Sequence, residues 1–305
     1  MGTTLWRSTR ICQKSPYRSA SLLQKSGIKF DSFFVNPKQL QRDCAKKLPG
    51  NSYAVQRHLD TKLFELNKNG ALNGHVPISG IWAGIMLLSA ALENKKYIVL
   101  SNENSANVGN LQQDGMEINH QYSKSLEFET DLQNLVKNTI TSSITYFSIL
   151  RPFSELKIID LFAKNCWKDF SHTFASCNKN FKESADKQSE IPKRNWCGSC
   201  SKCAFVFLLL AAVVPKKELL DVFGQNLFED VSLKKTFEEL CGVSGYKPFE
   251  CVGEIAECRE SAYLAEKNFS ELASLISLFE KPKKSALDSF FSHNIPFEIT
   301  QKLSE

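Results

Sequence analysis

The first 30 residues of this 305-residue chain contain no aspartate or glutamate but six lysines and arginines. With those six set aside, 32 basic residues face 33 acidic ones, so the rest of the chain is nearly neutral. Residues 1–20 are rich in arginine and serine, which is typical of an organelle transit peptide; a disordered tail and a misassigned start are the alternatives. No basic patch with interleaved aromatic residues stands out, so we expect no nucleic-acid partner.

The chain also lacks a long hydrophobic run. Its longest uninterrupted apolar stretch is residues 204–214, eleven in number, whereas a helix that crosses a bilayer needs about 20. The N-terminus has no apolar core of a secretory signal. We therefore expect no membrane span and a reducing compartment, the cytoplasm, or an organelle if the N-terminus is a transit peptide. The 42% hydrophobic content is enough to bury a core.

Ten cysteines in a reducing compartment indicate metal ligands rather than disulfides. Cys197, Cys200 and Cys203 recur every third residue at the start of an apolar helix, a spacing that lets thiolates converge on one tetrahedral ion. Cys177 is the nearest upstream candidate for a fourth ligand, with residues 179–194 looped out between them. We expect a structural zinc ion; an iron-sulfur cluster, a redox dithiol and unliganded thiols are the alternatives.

Strand and helix patterns alternate along the chain. They predict a helix ending at Gly27, a buried strand before Asn36, helical structure over about 37–66, a helix over 81–92 and a strand over 97–100. Residues 126–146 are predicted to be helical. Alternation of this kind is typical of a parallel α/β sheet, which binds ligands at the carboxyl edge of its strands.

Two polar segments follow the predicted strand at 97–100. The first, SNENSAN at residues 101–107, offers hydrogen-bond donors and a carboxylate that could hold Mg²⁺ or a ribose, and an ordinary surface loop is the alternative. The second, within residues 116–129, is dense in acid-base and phosphate-binding groups, for which a capped helix start would account only in part. The candidates are Ser101, Asn102, Glu103 and Asn107 in the first segment, and Glu117, His120, Tyr122 and Lys124 in the second.

Two further groups are interpreted as structural. Arg151 and Glu155 in LRPFSEL fit the start of a helix with an ordinary salt bridge. Cys251 in KPFECVGE is interpreted as a half-buried, inert cysteine, with a reactive thiol as the alternative.

Seven motifs between about residues 20 and 260 carry a resemblance to a known family. They are GHVPISGIWA (74–83), LSNENSAN (100–107), EINHQYSKSLEFE (117–129), ILRPFSEL (149–156), SCN with WCGSCSKCAFVFL (176–208), FGQNLFED (223–230) and KPFECVGE (247–254). Together they resemble the UDP-N-acetylmuramoyl-L-alanyl-L-glutamate epimerase family of bacterial peptidoglycan synthesis, the MurL type. The cysteine arrangement is also similar to that of 7-cyano-7-deazaguanine synthases, zinc proteins of the wider ATP-pyrophosphatase group.

The resemblance implies an α/β fold with a parallel sheet of the adenine-nucleotide α-hydrolase type, flanked by helices, and a zinc-braced helical C-terminal part. It implies ATP-dependent conversion of the terminal L-glutamate of UDP-MurNAc-L-Ala-L-Glu to D-glutamate, with Mg²⁺, releasing AMP and diphosphate. Ser101, Asn102 and Glu103 would line the nucleotide and Mg²⁺. His120, Tyr122 and Lys124, with Glu117 beside them, would be the first candidates for proton transfer or for neutralising phosphates.

One feature departs from the ATP-pyrophosphatase pattern. That group carries a glycine-rich loop between its first strand and first helix, which belongs here at about residues 8–18, but STRICQKSPYR contains no glycine. Either the start is not the native reading or the loop has been lost. We therefore expect an atypical N-terminus (1–20), a nucleotide-binding core without that loop (21–175) and the zinc-braced part (176–305). The rival functions are another ATP-pyrophosphatase-type ligase and a non-catalytic binding protein.

Overall fold

The structure, a computed structural model, describes residues 5–8, 15–37, 39–72, 77–109, 111–177, 195–248 and 250–304. Five parallel strands form its main sheet, in the order β3-β2-β1-β4-β7. A separate antiparallel hairpin of two short strands turns at Asp114 and Gly115, both with positive φ. The predicted parallel α/β sheet is confirmed. The strands are β1 (Leu5–Ser8), β2 (Phe30–Val35), β3 (Ser52–Val55), β4 (Tyr97–Leu100), β5 (Leu111–Gln113), β6 (Met116–Ile118) and β7 (Thr145–Ser148).

The helices are given in two groups by their position in the chain, one between residues 15 and 170 and one between residues 201 and 304. The first group is α1 (Ser15–Lys25), α2 (Gln39–Lys46), α3 (Thr61–Lys68), α4 (Ile78–Leu92), α5 (Leu126–Leu135), α6 (Glu155–Asn165) and α7 (Trp167–Phe170). The second is α8 (Ser201–Ala211), α9 (Lys216–Phe223), α10 (Lys234–Leu240), α11 (Ile255–Ala265), α12 (Ala273–Ile276) and α13 (Phe297–Ser304). Among the described residues, no helix is both long and apolar enough to cross a membrane.

Three of the five sheet strands differ from the predictions. The basic N-terminus, for which no strand was predicted, contains β1, which pairs with β2 and β4 and so lies in the middle of the sheet. The helix expected over 37–66 is broken by a turn at Gly50 (φ 82°) and contains β3. The helix expected over 126–146 ends in a π-helical turn before β7. Strands of four residues are too short to show a clear period, and pairing with neighbours decides them.

Both faces of the sheet are buried. Tyr97 and Val99 of β4 pack in one apolar cluster with residues of α1 and α6, whereas Ile98 and Leu100 pack in another with residues of α4. Numbered within the sheet, the strand order is 3-2-1-4-5, so the direction of winding reverses between β1 and β4. In sheets of this kind, ligands bind beyond the carboxyl ends of the strands at that reversal.

The C-terminal helices surround α8, whose residues 202–211 are all buried. A helix that is apolar on every side belongs in the middle of a core, and α8 packs with α6, α9, α10 and α11 in one hydrophobic cluster. The first turn of α8 carries Lys202 and Cys203, so a lysine and a cysteine are both buried at the N-terminal end of this helix. This end of α8 leads to the candidate site.

Candidate functional site

Four cysteine sulfurs meet at the start of α8. The Sγ atoms of Cys177, Cys197, Cys200 and Cys203 all lie within 4.8 Å of one another, and Cys203 Sγ is 3.5 Å from Cys200 Sγ and 3.7 Å from Cys197 Sγ. A tetrahedral zinc site with Zn–S bonds of about 2.3 Å has S–S edges of about 3.8 Å. The four residues therefore fit a closed tetrahedral metal site, and Cys177 lies where the sequence prediction put the fourth ligand.

The surroundings of this cysteine cluster are rigid and apolar. Gly198, with φ 70°, makes the turn between Cys197 and Cys200, and Ser199 N donates a hydrogen bond to Cys197 Sγ. Trp196 stacks on Phe223 with ring centroids 4.7 Å apart. A closed set of sulfur ligands leaves no coordination position for a substrate, so the cluster is suited to bracing the fold rather than to catalysis.

A second set of polar groups lies beyond the carboxyl end of β4. Ser101, Asn102 and Glu103 are all buried there, and Asn102 Oδ1 has no hydrogen-bond partner among the described residues. The neighbouring connection from β1 to α1, where the glycine-rich loop was expected, includes residues 9–14, which lie outside the described residues. Buried polar groups at the winding reversal are what a ligand-binding crevice requires.

Arg151 joins the two polar segments that the sequence singled out. Its fully buried guanidinium donates from Nη1 to Glu103 O (2.7 Å) and from Nη2 to Lys124 O (2.5 Å), and it forms an ion pair with Glu129 at 3.4 Å. Asn107 also connects the two segments, because its Oδ1 accepts a hydrogen bond from Leu126 N at 2.7 Å. Arg151 therefore does not form an ordinary salt bridge at a helix start. It fixes the backbone positions of Glu103 and Lys124 relative to each other.

Three buried carboxyl groups come together where α6 meets α11. Burial, reinforced by the charge of Glu155, raises the pKa of Glu103 to about 7, against the opposing effect of Lys124 and Lys202. Burial and the same neighbour raise the pKa of Glu257 well above its ordinary value, although the backbone N–H groups of Glu155 and Leu156 oppose the shift. At neutral pH Glu103 and Glu257 are therefore protonated to a larger extent than ordinary carboxyls.

Cations surround the same space. Burial and the charges of Lys124, Lys247 and Lys202, in that order, lower the pKa of His120. Burial also lowers the pKa of Lys247, whose Nζ donates to Gly253 O at 3.0 Å. His120 is therefore neutral at pH 7, in the form that can accept a proton.

Lys124 and His120 converge on a residue that the sequence analysis interpreted as inert. Lys124 Nζ lies 3.5 Å from Cys251 Sγ and 2.9 Å from Gln121 Oε1, and His120 Nε2 lies 4.0 Å from the same sulfur. Lys202, Glu257 and Cys251 are the site residues whose role was missed. The motif KPFECVGE carried a signal for Cys251, but spacing could not show that it meets residues 120–124.

The groups described above form one mixed-charge cluster, made up of Glu103, His120, Lys124, Lys202, Lys247, Cys251 and Glu257. Two predicted residues lie away from this mixed-charge cluster. Glu117 is exposed on β6 and accepts a hydrogen bond from Gly109 N. Tyr122 is 44% exposed and packs edge-on against Phe128, with ring centroids 6.3 Å apart. The structure thus brings together His120, Lys124 and Glu103, but not Glu117 or Tyr122.

Comparison with known proteins assigns both halves of this arrangement to one family. The MurL N-terminal domain family matches residues 18–149, and the MurL C-terminal domain family matches residues 173–286. The chain belongs to the MurL family. Within this MurL chain, the N-terminal match contains Glu103, His120 and Lys124, whereas the C-terminal match contains the four cysteines and Cys251. The mixed-charge cluster therefore forms where the two MurL domains meet.

Two bacterial relatives are similar over most of this MurL chain. The UDP-N-acetyl-alpha-D-muramoyl-L-alanyl-L-glutamate epimerase of Xanthomonas oryzae pv. oryzae is 38% identical over 250 residues, which are 82% of this chain and 54% of the relative. A protein of the same name from Salinispora tropica is 39% identical over 78% of this chain and 50% of the relative. The chain thus spans about half the length of the curated relatives it matches.

Proposed function

We propose that this chain catalyses ATP-dependent epimerisation of the terminal L-glutamate of UDP-MurNAc-L-Ala-L-Glu, through an acyl-adenylate, in cytoplasmic peptidoglycan synthesis. The observation that carries the proposal is the mixed-charge cluster beyond β4, where a neutral histidine, lysines and buried carboxyls meet at the domain boundary. The names of the relatives supply the substrate and the change of configuration. The strand order supports a nucleotide-binding core of the adenine-nucleotide α-hydrolase type, whose middle strand β1 precedes the bounds of 21–175 expected from the sequence.

Adenylation has a clear chemical purpose. A Cα–H bond beside a carboxylate is a very weak acid, because its loss would place a second negative charge next to the first. Attack of the carboxylate on the α-phosphorus of ATP releases diphosphate and gives a neutral acyl group, whose carbonyl can delocalise the carbanion. Lys124 lies where it can balance phosphate charge.

Oxygen donors for Mg²⁺ are present at the same edge. The unpartnered Oδ1 of Asn102 and the carboxylate of Glu103 are the hard ligands that Mg²⁺ prefers. Glu103 would lose its proton when the cation binds, because a nearby positive charge favours the ionised form. The zinc ion would be held by the four cysteines in the C-terminal part, residues 176–305, away from the reacting atoms.

Proton transfer then falls to the groups around His120. Neutral imidazole can take a proton at pH 7, and a positioned general base contributes a factor of about 10² to 10⁴ in rate. Hydrolysis of the epimerised adenylate would release the D-glutamate product and AMP.

The direct test incubates the purified chain with UDP-MurNAc-L-Ala-L-Glu, ATP and Mg²⁺. We expect AMP release together with D-glutamate after acid hydrolysis of the product. His120→Asn should lower D-glutamate formation by at least about 10²-fold. The matched control is His172→Asn, because His172 is exposed and contacts Asp221 (3.3 Å) outside the cluster. If the unsubstituted chain forms neither AMP nor D-glutamate, this result contradicts the proposal.

A second candidate function is binding of the nucleotide-sugar peptide without ATP chemistry. The observation that favours it is the glycine-free connection between β1 and α1, where backbone N–H groups would otherwise hold the phosphates of ATP. Retained binding of UDP-MurNAc-L-Ala-L-Glu, measured by calorimetry, without AMP release would support this candidate.

A further inference from the structure

Cys251 lies in a tight turn at the edge of the mixed-charge cluster. The backbone N–H of Glu250 donates to Pro248 O at 2.7 Å, and that of Val252 donates to Glu250 O at 2.8 Å. The turn leaves Cys251 half-buried, four residues before α11 begins at Ile255. Its sulfur is therefore held in place by backbone geometry and yet remains accessible.

The neighbours of Cys251 are unlike those of the other cysteines outside the metal cluster. Cys241 and Cys258 are fully buried, and burial raises the pKa of Cys241 to about 12. Cys44 donates a hydrogen bond to Thr173 O at 3.3 Å. Cys251 accepts a hydrogen bond from the ammonium group of Lys124 at 3.5 Å, and the imidazole of His120 lies 4.0 Å from its sulfur. An adjacent cation or histidine is the environment of reactive thiolates.

The position of the sulfur relative to the other groups is also constrained. Lys124 is held by Gln121 through its Nζ and by Arg151 through its carbonyl oxygen. Arg151 also donates to Glu103 O, so one buried side chain joins the loop of the proposed nucleotide side to the lysine that contacts the sulfur. Cys251 comes from the C-terminal domain, whereas His120 and Lys124 come from the N-terminal domain. The sulfur thus meets the histidine and the lysine only when the two domains are packed together.

We propose that Cys251 is a catalytic residue whose thiolate removes the Cα proton of the adenylated glutamate, with His120 as its proton partner; this rests on the proposed function. His120 first takes the proton from the thiol. The sulfur lone pair then forms an S–H bond with the Cα proton, and the C–H electron pair moves into the acyl carbonyl. Water supplies a proton to the opposite face of the carbon. The remaining hydroxide takes the proton that His120 holds, so protons and electron pairs balance.

The test separates adenylation from proton transfer. The full chain and its Cys251→Ala and Cys251→Ser variants are incubated in D₂O with UDP-MurNAc-L-Ala-L-Glu, ATP and Mg²⁺. Diphosphate release reports adenylation, and deuterium at Cα with D-glutamate reports proton transfer. We expect both variants to retain diphosphate release in the first turnover within about threefold, and to lose deuterium uptake and D-glutamate formation by about 10²-fold or more. Cys44→Ala, at a half-buried cysteine outside the cluster, should match the unsubstituted chain in both.

A second measurement does not depend on turnover. Iodoacetamide at pH 7, followed by mass spectrometry, should alkylate Cys251 at least about tenfold faster than Cys44, and Lys124→Met should slow that reaction. UDP-MurNAc-L-Ala-L-Glu should protect Cys251 from alkylation.

Each outcome has one meaning. Deuterium uptake that persists in Cys251→Ala overturns the inference and leaves the proposed function standing. If both variants lose diphosphate release and deuterium exchange alike, the role of Cys251 is structural, and this result also overturns the inference. Absence of AMP and exchange in the unsubstituted chain contradicts the proposed function and the inference with it.

Discussion

At the scale of single residues, the site depends on a buried ion pair between Arg151 and Glu129. Arg151 is fully buried, and its ion partner Glu129 is 1% exposed, so neither charge has access to water. Arg151 also carries the hydrogen bonds that join the loop after β4 to residues 117–129. A buried cation that makes several such bonds affects both the stability of the fold and the position of the groups it contacts.

Removing Arg151 should therefore destabilise the protein strongly. Arg151→Met leaves the Glu129 carboxylate buried without its partner, and the free energy of unfolding should fall by about 3–5 kcal/mol. Adding Glu129→Gln should restore part of the loss, because the uncompensated charge is gone. Urea unfolding followed by circular dichroism measures the stability of the single and the double variant. If Arg151→Met alone is as stable as the parent, the ion pair is not a major source of stability.

Glu103 makes stability depend on pH in a direction that can be worked out. Its pKa in the folded protein is raised to about 7 from an ordinary 4.5, because it is buried beside Glu155. Below pH 4.5 both states hold the proton; as pH rises from 4.5 to 7, the unfolded chain releases it first, so the folded state loses stability by up to about 3 kcal/mol.

Glu103→Gln cannot titrate and should escape this loss. Its stability relative to the parent should improve by about 3 kcal/mol between pH 4.5 and pH 8, as measured by urea unfolding at each pH. Glu117→Gln, at an exposed position of β6, controls for the substitution itself. A difference between Glu103→Gln and the parent that does not change with pH would count against the raised pKa.

At the scale of elements, the turn that carries Cys251 is pressed against α8 and α11. A Cβ atom on Gly253 would lie 2.8 Å from Phe205 Cζ of α8 and 3.0 Å from Glu257 Oε2 of α11. Both neighbours are buried, so neither can move away without disturbing the core. Glycine at this position therefore lets the turn approach the two helices.

Gly253→Ala should lower the free energy of unfolding by about 1–3 kcal/mol through overpacking, and it should displace Cys251. Gly84→Ala is the matched control, because Gly84 lies on the exposed side of α4 with no atom within 4 Å of an added Cβ. That change should be neutral or stabilising by up to about 1 kcal/mol, since alanine favours a helix more than glycine does. Thermal melting compares the two, and equal effects would refute the close-packing argument.

At the scale of the whole molecule, the four-cysteine cluster ties residue 177, which follows the sheet domain, to the first turn of α8 in the C-terminal core. All four of these cysteines lie within the MurL C-terminal match, so one bound ion would brace that domain. Metal binding to such a site contributes directly to folding stability, because the unfolded chain does not hold the ligands together.

We expect one metal ion per chain by mass spectrometry, with zinc as its identity. A strong chelator should lower the melting temperature, and Cys203→Ser should abolish metal binding. Cys44→Ser, which changes a cysteine outside the cluster, should retain the ion. A purified chain without metal, or one whose melting is unaffected by chelation, would contradict a structural metal site.

The accuracy of the sequence predictions follows the range of the interactions involved. The helix that ends at Gly27, the strand at 97–100 and the apolar helix near 204 depend on local pattern, and all three are present. The strands β1, β3 and β7 were missed, because each has four residues and is stabilised by partners distant in sequence.

The sequence by itself determined the alternating α/β order, the four cysteines that cluster and the polar loop after β4. These features are readable because periodicity, cysteine spacing and strand ends are local properties of the chain. Only the tertiary structure decided that Cys251 meets His120 and Lys124, and that Glu117 and Tyr122 lie outside the cluster. The physical reason is that contacts between residues more than a hundred positions apart, and the burial that lowers the pKa of His120, arise only when the two domains pack together.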